Sequence, residues 1–134
     1  MTVDQMLKTH PGRDGAPDGA LVTTIEALLE CATTCNICAD ACLEEPTVED
    51  LRSCIRLNAD CADVCTATSR ALARVAPTRS SEVVQALLEA CAVACRACGE
   101  ECEAHGAMGM EHCRTCAEAC KRCEQACRQL VATL

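Results

Sequence analysis

Four cysteines fall within the stretch CATTCNICADAC, at Cys31, Cys35, Cys38 and Cys42. Steps of four, three and four residues place all four side chains on one stripe of an α-helix. Ala32, Ala39 and Ala41 favour that helix, neither Pro nor Gly interrupts it, and the preceding EALLE supplies good helix formers. The rhythm returns at Cys91, Cys95, Cys98 and Cys102, at Cys113, Cys116, Cys120, Cys123 and Cys127, and, with one gap, at Cys54, Cys61 and Cys65; these are all 16 cysteines. Asn58 stands where the gapped series would have a thiol. The chain therefore reads as four helices, each with a face of sulfur.

The spacing also shows an internal repeat. A shift of 60 residues lays the first series on the Cys91 series, and a shift of 62 lays Cys54, Asn58, Cys61 and Cys65 on Cys116, Cys120, Cys123 and Cys127. Two helical hairpins of similar pattern follow, with helices expected over residues 19–44, 48–75, 79–104 and 109–133. Pro46 ends the first, and Thr47 with Asp50 resembles a capping pair for the second. Pro77 with Thr78 or Ser80 opens the third, and HGAMGM turns the chain into the fourth. A mean cysteine step of about 3.5 residues is that of a supercoiled bundle seam, and short connections make neighbours antiparallel. The predicted fold is all-α, an antiparallel up-down-up-down four-helix bundle over residues 20–134 with an N-terminal extension, residues 1–19. Pro11, Pro17 and three glycines mark that extension, with a short helical turn over residues 3–9; it is either a mobile tail or a strap packed on the body or on a neighbouring subunit.

Read as heptads, the cysteines take the core positions, and the seam continues through Leu21 and Leu28, Leu72 and Val75, Val84 and Leu88, and Leu130 and Leu134. Alternating helix direction brings these apolar residues to one end. Helices of about 24 residues span about 36 Å, so the thiols line a long channel closed by a hydrophobic plug. The plug and the good helices predict that the bundle folds without metal. At the opposite end His105, Met108, Met110 and His112 gather beside Cys102 and Cys113.

A chain of 134 residues makes one domain with a real core, yet Phe, Tyr and Trp are absent. Leu, Val, Ala and sulfur must fill the interior. A formal charge of −8 with no basic cluster argues against nucleic acid or an anionic membrane as partner. The N-terminus lacks an apolar signal region, and no stretch reads as the ~20 apolar residues of a membrane span, which places the chain in the cytoplasm. Disulfides fit poorly there, because the compartment is reducing and i,i+4 neighbours stand farther apart than a bridge allows.

Sixteen thiols at seam positions, where Leu would pack better, point to soft-metal binding rather than to packing alone. Soft thiolates select Cu(I), Zn(II) or iron–sulfur clusters. Zinc held by four thiolates leaves excess negative charge at each buried site, whereas Cu(I) with about one thiolate per ion approaches neutrality. Cu(I) also accepts two or three sulfur ligands, which i,i+3 and i,i+4 pairs and facing helices supply. Iron–sulfur ligation draws its cysteines from loops, and a redox CxxC needs an exposed helix N-terminus. A zinc or mixed-metal thiolate buffer, and a thiol redox protein, are the alternatives. Nothing in the sequence assembles a catalytic set, so the chain reads as a container and not an enzyme. All 16 cysteines are candidate ligands, most of them bridging two ions. His105, His112, Met108 and Met110 are candidates at the mouth, and the Asn58 amide either offers its oxygen to an ion or hydrogen-bonds within the core.

The repeated C-x3-C-x2-C-x3-C helices and the absent aromatics resemble the cytosolic branch of the bacterial copper storage proteins over roughly residues 20–134. That resemblance implies a four-helix bundle, assembled as a homotetramer, that holds multiple Cu(I) ions through cysteine thiolates for storage or detoxification. It also implies that metal passes a bundle end furnished with His or Met, which corresponds to His105, Met108, Met110 and His112. Asn58 and Leu51 depart from a full cysteine ladder on that side of the core.

Overall fold

The computed structural model describes residues 2–14, 18–76 and 79–134. Its elements are α1 (Thr2–Lys8), α2 (Gly19–Leu43), a 3-10 turn (Val48–Leu51), α3 (Arg52–Leu72), α4 (Glu82–Gly106) and α5 (Glu111–Val131), with no strand among the described residues. The helices α2 to α5 pack in a ring, α2 against α3 and α5, and α4 against α3 and α5. Sulfur contacts give the relative directions. Between α3 and α4 they pair Cys54 with Cys102, Cys61 with Cys95 and Cys65 with Cys91, so residue numbers run in opposite senses. The pairs Cys31–Cys120, Cys35–Cys116 and Cys38–Cys113 do the same between α2 and α5.

Local chemistry sets the helix ends. Asp18 caps α2, its carboxylate accepting from the Ala20 amide at 3.1 Å. Thr47 and Asp50 do not form the expected cap: the Thr47 side chain makes no capping bond, and its carbonyl accepts from the Asp50 amide at 2.9 Å to start the 3-10 turn. That turn carries Leu51 into the core, fully buried. At the α4 start the Ser80 hydroxyl accepts from the Glu82 amide at 3.4 Å, and the Gln85 side chain donates to the Ser81 hydroxyl at 2.9 Å. The roles expected of Pro17, Pro77 and Thr78 lie outside the described residues. Between α4 and α5 the chain reverses through Gly109, whose φ of 96° is left-handed backbone that glycine adopts without penalty.

Leu21, Leu28, Leu72, Val84, Leu88 and Leu130 are buried together and form the plug. Leu134 departs from expectation: it is 45% exposed, because α5 ends at Val131 and the chain leaves the seam. Two threonines sit among the apolar groups, and Thr24 and Thr68 satisfy their hydroxyls on the Ala20 and Val64 carbonyls, each at 2.7 Å. The N-terminal extension packs on the body. Leu7 of α1 is buried in the core cluster, and the Arg13 guanidinium donates to the Val75 carbonyl at 2.5 Å.

One correction concerns hydropathy. The α2 helix is long and apolar enough to cross a membrane by length and composition, with a window mean hydropathy of 1.2. Leu, Ile and Val supply most of that value, and cysteine and alanine add to it. Half of the window is buried inside the bundle, as expected for the core helix of a bundle.

Candidate metal centre

Every one of the 16 cysteines is free and buried. The step pattern of four and three turns each thiol inward, and the ring of four helices brings the stripes face to face. The resulting separations are short. Cys65 and Cys91 Sγ lie 3.5 Å apart, Cys35 and Cys120 3.6 Å, Cys61 and Cys95 3.7 Å, and Cys54 and Cys102 3.7 Å. Diagonal contacts cross the channel, Cys31 to Cys95 and Cys65 to Cys123, both at 4.0 Å.

These contacts close into groups that could hold a metal ion: Cys31, Cys65, Cys95 and Cys123; Cys31, Cys35, Cys61 and Cys120; Cys35, Cys98, Cys116 and Cys120; and Cys38, Cys102 and Cys116. Members recur between groups. Cys31, Cys35, Cys116 and Cys120 each belong to two, which is the arrangement bridging thiolates require.

The network settles protons unevenly. Hydrogen bonds from Cys120 and Cys31 pull Cys61 down, whereas those linking Cys35 to Cys116 and Cys120 push Cys35 up. A thiolate is stabilised where neighbours donate S–H, and the donors then hold their protons more tightly. At the mouth, burial is the main cause: it raises Cys42, and together with repulsion from Cys42 and Cys102 it pushes Cys113 up to about 12. Binding a metal to either releases a proton.

Asn58 is fully buried in this sulfur environment. Its amide nitrogen donates to the Cys54 carbonyl at 2.8 Å and lies 3.3 Å and 3.4 Å from the Cys54 and Cys102 sulfurs. Its oxygen accepts from Cys116 at 3.0 Å and from Cys98 at 3.3 Å. The amide thus hydrogen-bonds within the core.

The mouth residues divide. His112 places Nδ1 at 3.4 Å from Cys38 Sγ and 3.5 Å from Cys113 Sγ, while its Nε2 lies 3.1 Å from Glu45 Oε1. His105 is buried, its Nε2 3.2 Å from Glu101 Oε1 and its Nδ1 without a hydrogen-bond partner among the described residues. Met110 is half-buried against the core, and Met108 is 69% exposed. The two glutamates escape sequence reasoning. Glu101 precedes His105 by one helical turn, a signal that was available, but Glu45 reaches His112 from a loop 67 residues away.

A family model described as copper storage protein matches residues 18–132. The chain belongs to the copper storage protein family. Among solved structures it is similar to the copper storage protein of Streptomyces lividans loaded with 10 copper equivalents, with a TM-score of 0.91 and 53% identity, covering 98% of this chain and 99% of that one. A second structure, of a cytosolic copper storage protein from Streptomyces lividans with five coppers, gives a TM-score of 0.82 at 56% identity over 86% of this chain and 94% of that one. The Cu(I)-bound copper storage protein BsCsp3 gives 0.73 at 36% identity, over 84% and 98%. The fold shared with these copper storage proteins encloses, in this chain, a core of clustered thiols suited to thiolate metal binding.

Proposed function

We propose that the chain stores multiple Cu(I) ions inside its bundle, in the cytoplasm, with all 16 cysteines as thiolate ligands and with His105, His112, Met108 and Met110 serving at the mouth. The single observation that carries this reading is the continuous sulfur ladder, in which every group shares members with the next. Shared sulfurs permit a ratio near one ion per thiol, and that ratio keeps the buried charge near zero. The role is binding without turnover, in line with the relatives loaded with copper. Residues 20–134 are the holding unit, and the extension straps its plugged end through Leu7 and Arg13. A homotetramer fits the exposed Ile37 and Leu43 of α2, which share a shallow cleft with Ile55 of α3.

The test is a titration of fully reduced protein with Cu(I) under anaerobic conditions, followed by thiolate-to-copper absorption and then by competition with a coloured Cu(I) chelator. A linear rise approaching one ion per thiol, with slow loss to the chelator, is expected. Saturation after one or two ions would overturn the reading and favour the zinc buffer or the redox protein.

A further inference from the structure

The donors at the mouth differ in kind from those below them. The sulfurs of Cys38, Cys42 and Cys113 and Nδ1 of His112 all lie within 4.8 Å of one another. The resolved edges of this set are 3.4 Å from Cys38 to His112, 3.5 Å from Cys113 to His112 and 3.9 Å from Cys38 to Cys113. A tetrahedral zinc site, with Zn–S of about 2.3 Å and Zn–N of about 2.05 Å, has S···N edges of about 3.6 Å and S···S edges of about 3.8 Å. These three edges, which join Cys38, Cys113 and His112, fall within about 0.2 Å of those values, and Cys42 completes the set within 4.8 Å of each.

The imidazole is also held for this purpose. With Nε2–H donating to the Glu45 carboxylate, the Nδ1 lone pair faces the sulfurs. A carboxylate on the far nitrogen is the usual partner of a metal-bound histidine: it fixes the tautomer and raises the basicity of the ligand. Charge separates this set from the interior. A divalent ion on four interior thiolates leaves two negative charges in a dry core, but on three thiolates and a neutral imidazole it leaves one, beside a His112 side chain that is 25% exposed. Cu(I), satisfied by two or three ligands, has no need of the fourth donor.

We infer that Cys38, Cys42, Cys113 and His112 form a site for one zinc-like divalent cation, separate in chemistry from the thiol core and filled before copper arrives. Binding displaces the thiol protons of the three cysteines, while His112 keeps its Nε2 proton on Glu45. The ion ties α2 to α5 and closes the mouth until Cu(I), with its greater preference for thiolate, takes the sulfurs.

Cobalt(II) added alone to fully reduced, copper-free protein tests this. One equivalent is expected to produce the intense visible d–d bands of tetrahedral cobalt with sulfur ligands, and one equivalent of Zn(II) to bleach them. His112→Ala abolishes the bands, and Glu45→Ala weakens zinc binding by about 10- to 100-fold. Glu45→Gln, which keeps an acceptor oxygen, recovers most of that loss. Several equivalent cobalt sites, bands unmoved by His112→Ala, or a weak octahedral spectrum would each overturn the inference. A Cu(I) titration of the same sample keeps the two readings apart: full copper uptake without a cobalt site overturns this inference alone, and a cobalt site without copper uptake overturns storage alone.

Discussion

Asn58 shows what a single residue does in a core made of sulfur. Aligned on the repeat, its counterpart is Cys120, so the amide replaces a thiol in one hairpin only. Its oxygen collects S–H donors from α4 and α5 while its nitrogen holds the carbonyl of its own helix. Buried polar groups of this kind are costly unless satisfied, and this one is. Because the amide acts through hydrogen bonds, Asn58→Cys is expected to extend the ladder and add one copper ion to the capacity, with the fold retained; native mass spectrometry after Cu(I) loading would count it. An unchanged count would mean that the amide oxygen already serves as a ligand. The gap at residue 58 was legible in the cysteine spacing, but its partners were not, because they come from helices whose register only tertiary packing sets. The same holds for Glu45. No periodicity links a loop carboxylate to a histidine on α5, whereas the thiol stripes were legible because helical spacing alone puts them on one face.

At the level of elements, the α4–α5 pair is the tightest part of the bundle. A methyl group added at Gly106 would stand 3.0 Å from the Arg114 Cα and 3.1 Å from its amide nitrogen, and one at Gly99 would stand 3.3 Å from the Cys120 Cβ. Backbone cannot move aside as a side-chain tip does. Overpacking typically costs about 1–3 kcal/mol, against a helix-propensity gain of at most about 1 kcal/mol for replacing glycine with alanine. Gly106→Ala should therefore lower the melting temperature by several degrees in circular dichroism; a rise would show that α5 can shift outward at no cost. Helix identity was readable from the 3.5-residue rhythm. Helix starts were less so, because Thr47 and Asp50 carry capping chemistry that the chain spends on a 3-10 turn, and Leu51 then enters the core from a segment read as the first turn of a helix.

For the whole molecule, proton linkage and metal loading pull stability in opposite directions with pH. The interior thiols shift in both directions through the hydrogen bonds they exchange, whereas at the mouth Cys42 and Cys113 both shift up from an ordinary value of 9.0, Cys113 to about 12. A raised thiol is held neutral by the fold. Its contribution is complete below about pH 9 and is lost as the pH climbs toward 12, because the unfolded chain releases that proton first. The reduced, metal-free protein should thus melt at progressively lower temperature above about pH 9. The copper-loaded protein should not, since its thiolates are already deprotonated and proton competition weakens with rising pH. Parallel thermal melts over that range check both; a pH-independent melt of the metal-free protein would contradict the first.

The sulfurs stand 3.5 to 4.0 Å apart in this structure, and the fold superposes at a TM-score of 0.91 on a relative carrying 10 copper equivalents. The outline of this chain is therefore one it shares with a relative that has copper inside it. The sulfur lies wholly within that outline, so an arriving partner meets the carboxylate and imidazole of Glu45 and His112 before it meets a thiol.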